Sequence, residues 1–251
     1  MHRHALSEDQ WQRLKVILPK QKAGPAAIRG DRLFIDGVLF RAKTGMPWRD
    51  VPERFGPWKS VYNRFANWAK SGRWELIFKA LQSEVDDVGS IVDGSVVRAH
   101  QDASGGKGGV QCNALGRSRG GFSTKLHAVV DTKGRSIYIA ITPGQRHEMM
   151  KADELLANAP GKAFIADAGY DSNRFRQLIR DKKKRAVIGS KPERPRKLPK
   201  SRELYAKRYL VECFFHNLKR FRAVATRFEK TARNFLALTQ LACAWLWLAP
   251  N

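Results

Sequence analysis

Two aspartates stand where a carboxylate is costly. Asp93 interrupts the apolar run Ile91-Val92-Asp93-Gly94-Ser95-Val96-Val97, and Asp167 closes the run Ala163-Phe164-Ile165-Ala166. Both runs read as strands, and desolvating a carboxylate there costs several kcal/mol unless a cation compensates it. A backbone amide or an arginine would satisfy either residue alone. Two of them, on strands expected to be neighbours in one sheet, call for a bound cation instead. A third acid, Glu212, lies in the pattern Tyr205-x-x-Arg208-x-x-x-Glu212-x-x-x-x-x-x-Lys219. Spacings of three, four and seven bring these four side chains towards one face of a helix. Arg208 and Glu212 alone would form an i,i+4 pair worth only a few tenths of a kcal/mol, on a merely solvated face. Leu210, Phe214 and Phe221 make the opposite side apolar, however, so the helix is packed and its polar side is aimed at something specific.

The background is strongly cationic. Of 251 residues, 47 are Lys or Arg and 23 are Asp or Glu, a formal charge of +24. Cations in that excess repel one another unless a polyanion is close, so nucleic acid is the natural partner; ribosomal and membrane-surface proteins share such charge. Cys112, Cys213 and Cys243 are odd in number, far apart and without a C-x-x-C pair. They suggest neither disulfides nor structural zinc, and fit a reducing cytoplasm. No N-terminal apolar run resembles a signal peptide. The apolar stretch from Phe235 to Ala249 is shorter than the ~20 residues of a membrane helix and reads as a buried helix.

Residues 1–83 read as a small all-helical domain. Ser7 with Gln10 forms a capping box ahead of Trp11, Leu14, Ile17 and Leu18, and Pro19 ends the pattern. A second helix begins near Asp31 and stops at Gly45, a third is capped by Ser60 and closed by Gly72, and a fourth spans Trp74 to Val85. The third, basic and preceded by a turn, fits a helix-turn-helix recognition helix with Lys59, Asn63 and Arg64 facing DNA; an ordinary packed helix with a solvated face fits equally. From residue 84 to 251 the texture is α/β. Strands at 91–97, 122–130 and 137–141 come first, with a basic Gly-rich loop from Ser104 to Gly121 and a turn at Asp131-Thr132-Lys133-Gly134. A helix near 148–157, the Asp167 strand, a helix at 172–180 and a strand at 185–188 follow. A Pro-, Lys- and Arg-rich segment, 191–202, reads as a mobile or DNA-tracking linker. Helices at about 202–222 and 231–248 finish the chain. Three strands, then alternating helix and strand, is the order of a ribonuclease-H-like α/β domain with a mixed sheet.

The Tyr205, Arg208, Glu212 and Lys219 spacing resembles the signature of insertion-sequence DDE transposases of the group that includes families four and five. Family-five members are matched further by Gly45-Met46-Pro47-Trp48-Arg49-Asp50, Phe55-Gly56-Pro57-Trp58, Trp68 with Gly72 and Trp74, Gly120-Gly121-Phe122-Ser123-Thr124-Lys125-Leu126-His127 and Ala166-Asp167-Ala168-Gly169-Tyr170-Asp171. The resemblance spans almost the whole chain. It implies a catalytic and metal-binding triad of Asp93, Asp167 and Glu212, two Mg²⁺ ions for which Mn²⁺ can substitute, and double-stranded DNA as partner. Phosphodiester hydrolysis and transesterification suit ions about 3.5–4 Å apart, which activate one oxygen and stabilise another. Tyr205, Arg208 and Lys219 are implied to hold phosphates near the cleaved bond, Arg208 by a bidentate fork. Lys125 and His127 are weaker candidates. Asp171, Asp102 and Asp131 are rivals for the metal roles, Asp171 fitting better as a cap of the helix near Ser172. Two DNA ends joined in one reaction imply a homodimer or higher oligomer, and no membrane. A non-catalytic regulator derived from a transposase, or a metal-dependent nuclease without strand transfer, would share part of this pattern.

Overall fold

The structure, a computed structural model, describes residues 4–18, 30–82 and 84–249. Helices α1 (Glu8–Ile17), α2 (Gly30–Thr44), α3 (Trp58–Lys70) and α4 (Arg73–Ala80) come first. The capping box of α1 forms as expected, with Ser7 and Gln10 each accepting from the other's backbone amide. Pro19, expected to end this helix, lies outside the described residues. Gly45 is left-handed at φ +75°, as a helix-terminating glycine should be, and a Cβ there would come within 2.9 Å of the Arg222 Cβ. Two boundaries differ from expectation. α3 starts at Trp58, because the Pro57 carbonyl already accepts the amides of Ser60 and Val61. α4 stops at Ala80 rather than Val85, where the Gln82 side chain donates to the Ile137 carbonyl and the chain turns towards the sheet.

The remaining chain runs β1 (Gly89–Ala99), α5 (Gly109–Cys112), β2 (Gly116–Ser118), β3 (Gly121–Asp131), β4 (Ser136–Pro143), α6 (Ala152–Ala157), β5 (Ala163–Ala166), α7 (Asn173–Asp181), β6 (Arg185–Ile188), α8 (Arg202–Ala206), α9 (Tyr209–Lys219), α10 (Arg222–Ala225), β7 (Thr226–Arg227) and α11 (Ala232–Leu248). The main strands lie in the order β4-β3-β1-β5-β6, antiparallel across β4, β3 and β1 and parallel across β1, β5 and β6. This is a mixed sheet in an α/β fold, with the order of main strands along the chain expected from the sequence. Short β2 pairs with the start of β3, and β7 extends the far end of β1.

Alternation along β1 sends Ile91 into one core and Val92 into another. The Val92 core lies under α6 and α7. The Ile91 core is larger and takes in α9, α11 and the apolar faces of α1 to α4. α11 is buried nearly all round, as its apolar run predicts, and none of the described helices is long and apolar enough to cross a membrane. The long helix expected at 202–222 is broken. Lys207 and Arg208 form a tight turn of i to i+3 bonds between α8 and α9, and the break leaves Tyr205 and Arg208 three residues apart on helical geometry. The segment expected to be a mobile linker is tied down instead: the Lys191 amide and the Arg194 guanidinium both bond to buried Asp171.

Candidate metal centre

β1 and β5 are neighbours, and their parallel register, Ile91 opposite Ile165, brings Asp93, midway along β1, level with Asp167, which directly follows β5. Asp93 Oδ1 accepts from the Gly94 amide at 2.7 Å, and Asp167 caps the turn Ala168–Tyr170 by accepting from the Gly169 amide at 2.9 Å. β4 runs in the same direction as β1, so the residues following it reach the same end of the sheet. Glu148 opens the short 3-10 turn there. Asp93, Glu148 and Asp167 each offer a carboxylate oxygen within 4.8 Å of the others. Sequence reasoning missed Glu148 and read it only as a helix start; the signal available was the shared direction of β1, β4 and β5.

Burial pushes the Asp93 carboxyl up to about 6, against the Gly94 amide bond, and the Glu148 and Asp167 charges add to the rise. A site that resists a second and third negative charge calls for a cation. Lys125 supplies one, 3.6 Å from Glu148, and Arg208 another, 3.7 Å from Asp93. Arg208 also holds Glu212 at 2.5 Å, so Glu212, exposed on the first turn of α9, joins the centre through that guanidinium and stands outside the cluster of three. Lys219, at the other end of α9, donates to Ser95 Oγ on β1 at 2.7 Å. The Tyr205 hydroxyl lies against Gly189 after β6, with the Lys200 ammonium 3.5 Å above its ring. Lys125, Arg208 and Lys219, with Glu212 joined through Arg208, thus gather around the middle of β1, from Asp93 to Val96.

The other candidates sort by their partners. Asp171 is buried between Arg176 and Arg194, whose hydrogen bonds outweigh burial and hold its carboxyl far below the usual range. It does not cap α7; Ser172 does. Asp131 serves Arg135 and the 132–135 turn, and Asp102 pairs with His100 on the surface. His127 is fully buried and bonded to Thr142; burial first, then Lys125 and Lys151, lower its pKa to about 4, so it is a neutral core residue. On α3, Lys59 and Asn63 are exposed, whereas Arg64 pairs with Asp31 and lies over the rings of Phe34 and Trp68.

The family described as "Transposase DDE domain" matches residues 85–247. The chain belongs to the DDE transposases. A second family, of candidate transposases of the IS4/5 group, matches residues 6–78. This DDE transposase is 41% identical over 129 residues to a candidate transposase of insertion sequence element IS6501 from Brucella ovis, a match covering 51% of this chain and 99% of the relative. It is 38% identical over 105 residues to the uncharacterized protein y4sN of Sinorhizobium fredii, covering 41% of this chain and 82% of that one. A solved structure, the Mos1 transposase paired-end complex with left transposon end, aligns over 94% of this chain and 85% of its own at 13% identity, with a TM-score of 0.25, too low to bear on function or fold.

Proposed function

We propose that this DDE transposase binds the terminal inverted repeats of an insertion sequence, cleaves the DNA at the element's ends by metal-dependent phosphodiester hydrolysis and joins the resulting 3′-hydroxyl to target DNA. The observation that carries the reading is the meeting of Asp93 and Asp167 on two neighbouring parallel strands, ringed by Lys125, Arg208 and Lys219, in a chain of charge +24. The donor set fits a hard divalent cation: carboxylate oxygens suit Mg²⁺ or Mn²⁺, and Gly94 and Gly169, which carry no side chain, let a further carboxylate approach the two aspartates. Asp93, Asp167 and Glu212 would hold the ions. When bound, two such ions supply an activated oxygen nucleophile and stabilise the leaving oxygen.

The chain's own residues do the positioning. Arg208 offers a planar fork to a terminal phosphate, and releasing Glu212 to the centre is the counterpart of that contact. Lys219, Tyr205 and Lys125 line the approach. Base reading falls to the helical module, residues 1–83, through exposed Lys59 and Asn63 on α3, with Arg64 bracing that helix. Residues 84–251 form the catalytic module. A single centre serves one DNA end, so the active complex is at least a dimer, working on the nucleoid in the cytoplasm.

The test is incubation with the element's own flanking DNA and Mg²⁺, mapping the broken bonds on a sequencing gel. Strand transfer of a precut end is expected; its absence with cleavage intact identifies a nuclease, and absence of both a regulator. Asp93→Ala, Asp167→Ala and Glu212→Ala should each abolish cleavage and leave end binding nearly intact. Substantial Mg²⁺-dependent cleavage by any one removes that residue from the triad.

A further inference from the structure

We propose that Glu148 is a metal ligand of this centre, holding a first divalent cation with Asp93 and Asp167 in the DNA-free protein, while Glu212 is kept back by Arg208; this rests on the metal-dependent reading above. The Glu148 carboxylate is wedged between the two aspartate turns. A Cβ on Gly94 would meet its Oε1 at 3.1 Å, and a Cβ on Gly169 would meet its Oε2 at 3.4 Å. Gly94 directly follows Asp93 and Gly169 lies two residues after Asp167, so the chain leaves room for this third acid beside each of the other two. Its one cationic neighbour among the described residues is Lys125, at 3.6 Å, a loose contact for a charged pair.

An independent sign of a ligand comes from Tyr170. Its side chain is fully buried, its hydroxyl has no hydrogen-bond partner, and the charges that bear on it are those of Glu148, Asp93 and Asp167. A buried O–H without an acceptor is costly. An oxygen ligand brought to a cation among the three carboxylates would offer that acceptor. Glu212 does not share that place in the structure: it pairs with Arg208 at 2.5 Å, outside the cluster.

The experiment is a Mn²⁺ titration of the full-length, DNA-free protein, with free ion followed by electron paramagnetic resonance and each variant's folding checked by melting in chelator. Glu148→Gln should weaken Mn²⁺ binding at least about tenfold, as Asp93→Asn and Asp167→Asn do, while Glu212→Gln stays within about twofold of the parent. Lys125→Met should tighten binding, because it removes the cation that competes for Glu148. If Glu148→Gln binds like the parent while the aspartate variants lose affinity, the inference fails and the metal site stands. If no carboxylate variant changes affinity, both fail. Should Glu148→Gln not fold, Lys125→Met decides: tighter binding supports the ligand role, and weaker binding reduces Glu148 to a structural partner of Lys125.

Discussion

Asp93 is held in a setting that favours its proton when no metal is present. Its pKa rises from an ordinary 3.8 to about 6. The folded state therefore keeps this proton more tightly than the unfolded chain, so the stability linked to Asp93 is full below 3.8 and is lost as pH rises through about 6. Asp93→Asn should remove that loss and raise stability at pH 8 in chelator by on the order of 2 kcal/mol. Urea unfolding at pH 5 and pH 8 checks it; a variant no more stable than the parent at pH 8 would show that the carboxylate is already compensated. Asp93 and Asp167 were legible in the sequence because an acid in a strand is conspicuous. Glu148 was not, because its place depends on the direction of β4, which no local pattern records. Arg64 and Asp171 were legible as charged residues but not as partners of Asp31 and of Arg176 with Arg194, pairs separated by up to 33 positions.

The elements were largely readable where side-chain periodicity or a cap was strong: α1, the strands of the sheet and α11. Their ends were less so, since tertiary bonds set them, as Gln82 does after α4. α3 shows the consequence for function. Its apolar face, Val61, Phe65 and Trp68, is buried, and Arg64 braces it from the side, leaving Asn63 to face outward. Asn63→Ala should narrow the gap in affinity between the element's end and random DNA by about 1–3 kcal/mol, one good base contact. Lys219→Ala should weaken both DNAs alike and lower the salt slope by about one ion. Binding of both DNAs across a salt series separates the two. Equal weakening of both by Asn63→Ala would return α3 to the role of a packed helix with a solvated face.

At the scale of the molecule, α11 joins the helical module to the sheet. Leu238 is fully buried in a core that also holds Phe34, Trp74 and Ile91. Leu238→Ala should cost about 2–5 kcal/mol, and the protein should melt in one transition seen alike by the tryptophans of the first 83 residues and by far-ultraviolet signal. Two separated transitions would mean that the modules fold alone. That common core has a consequence for where the element is cut. If α3 reads bases and the carboxylates cut as proposed, their place in one core makes the offset between the bases recognised and the bond broken a fixed length, a ruler built of protein. Inserting about five base pairs between the recognised sequence and the end turns the scissile phosphate through half a helical turn, onto the far side of the duplex. Cleavage should then vanish rather than move with the terminus, and a run of inserted lengths assayed for cutting should recover activity only as whole turns are restored, if DNA bending can make up the added distance.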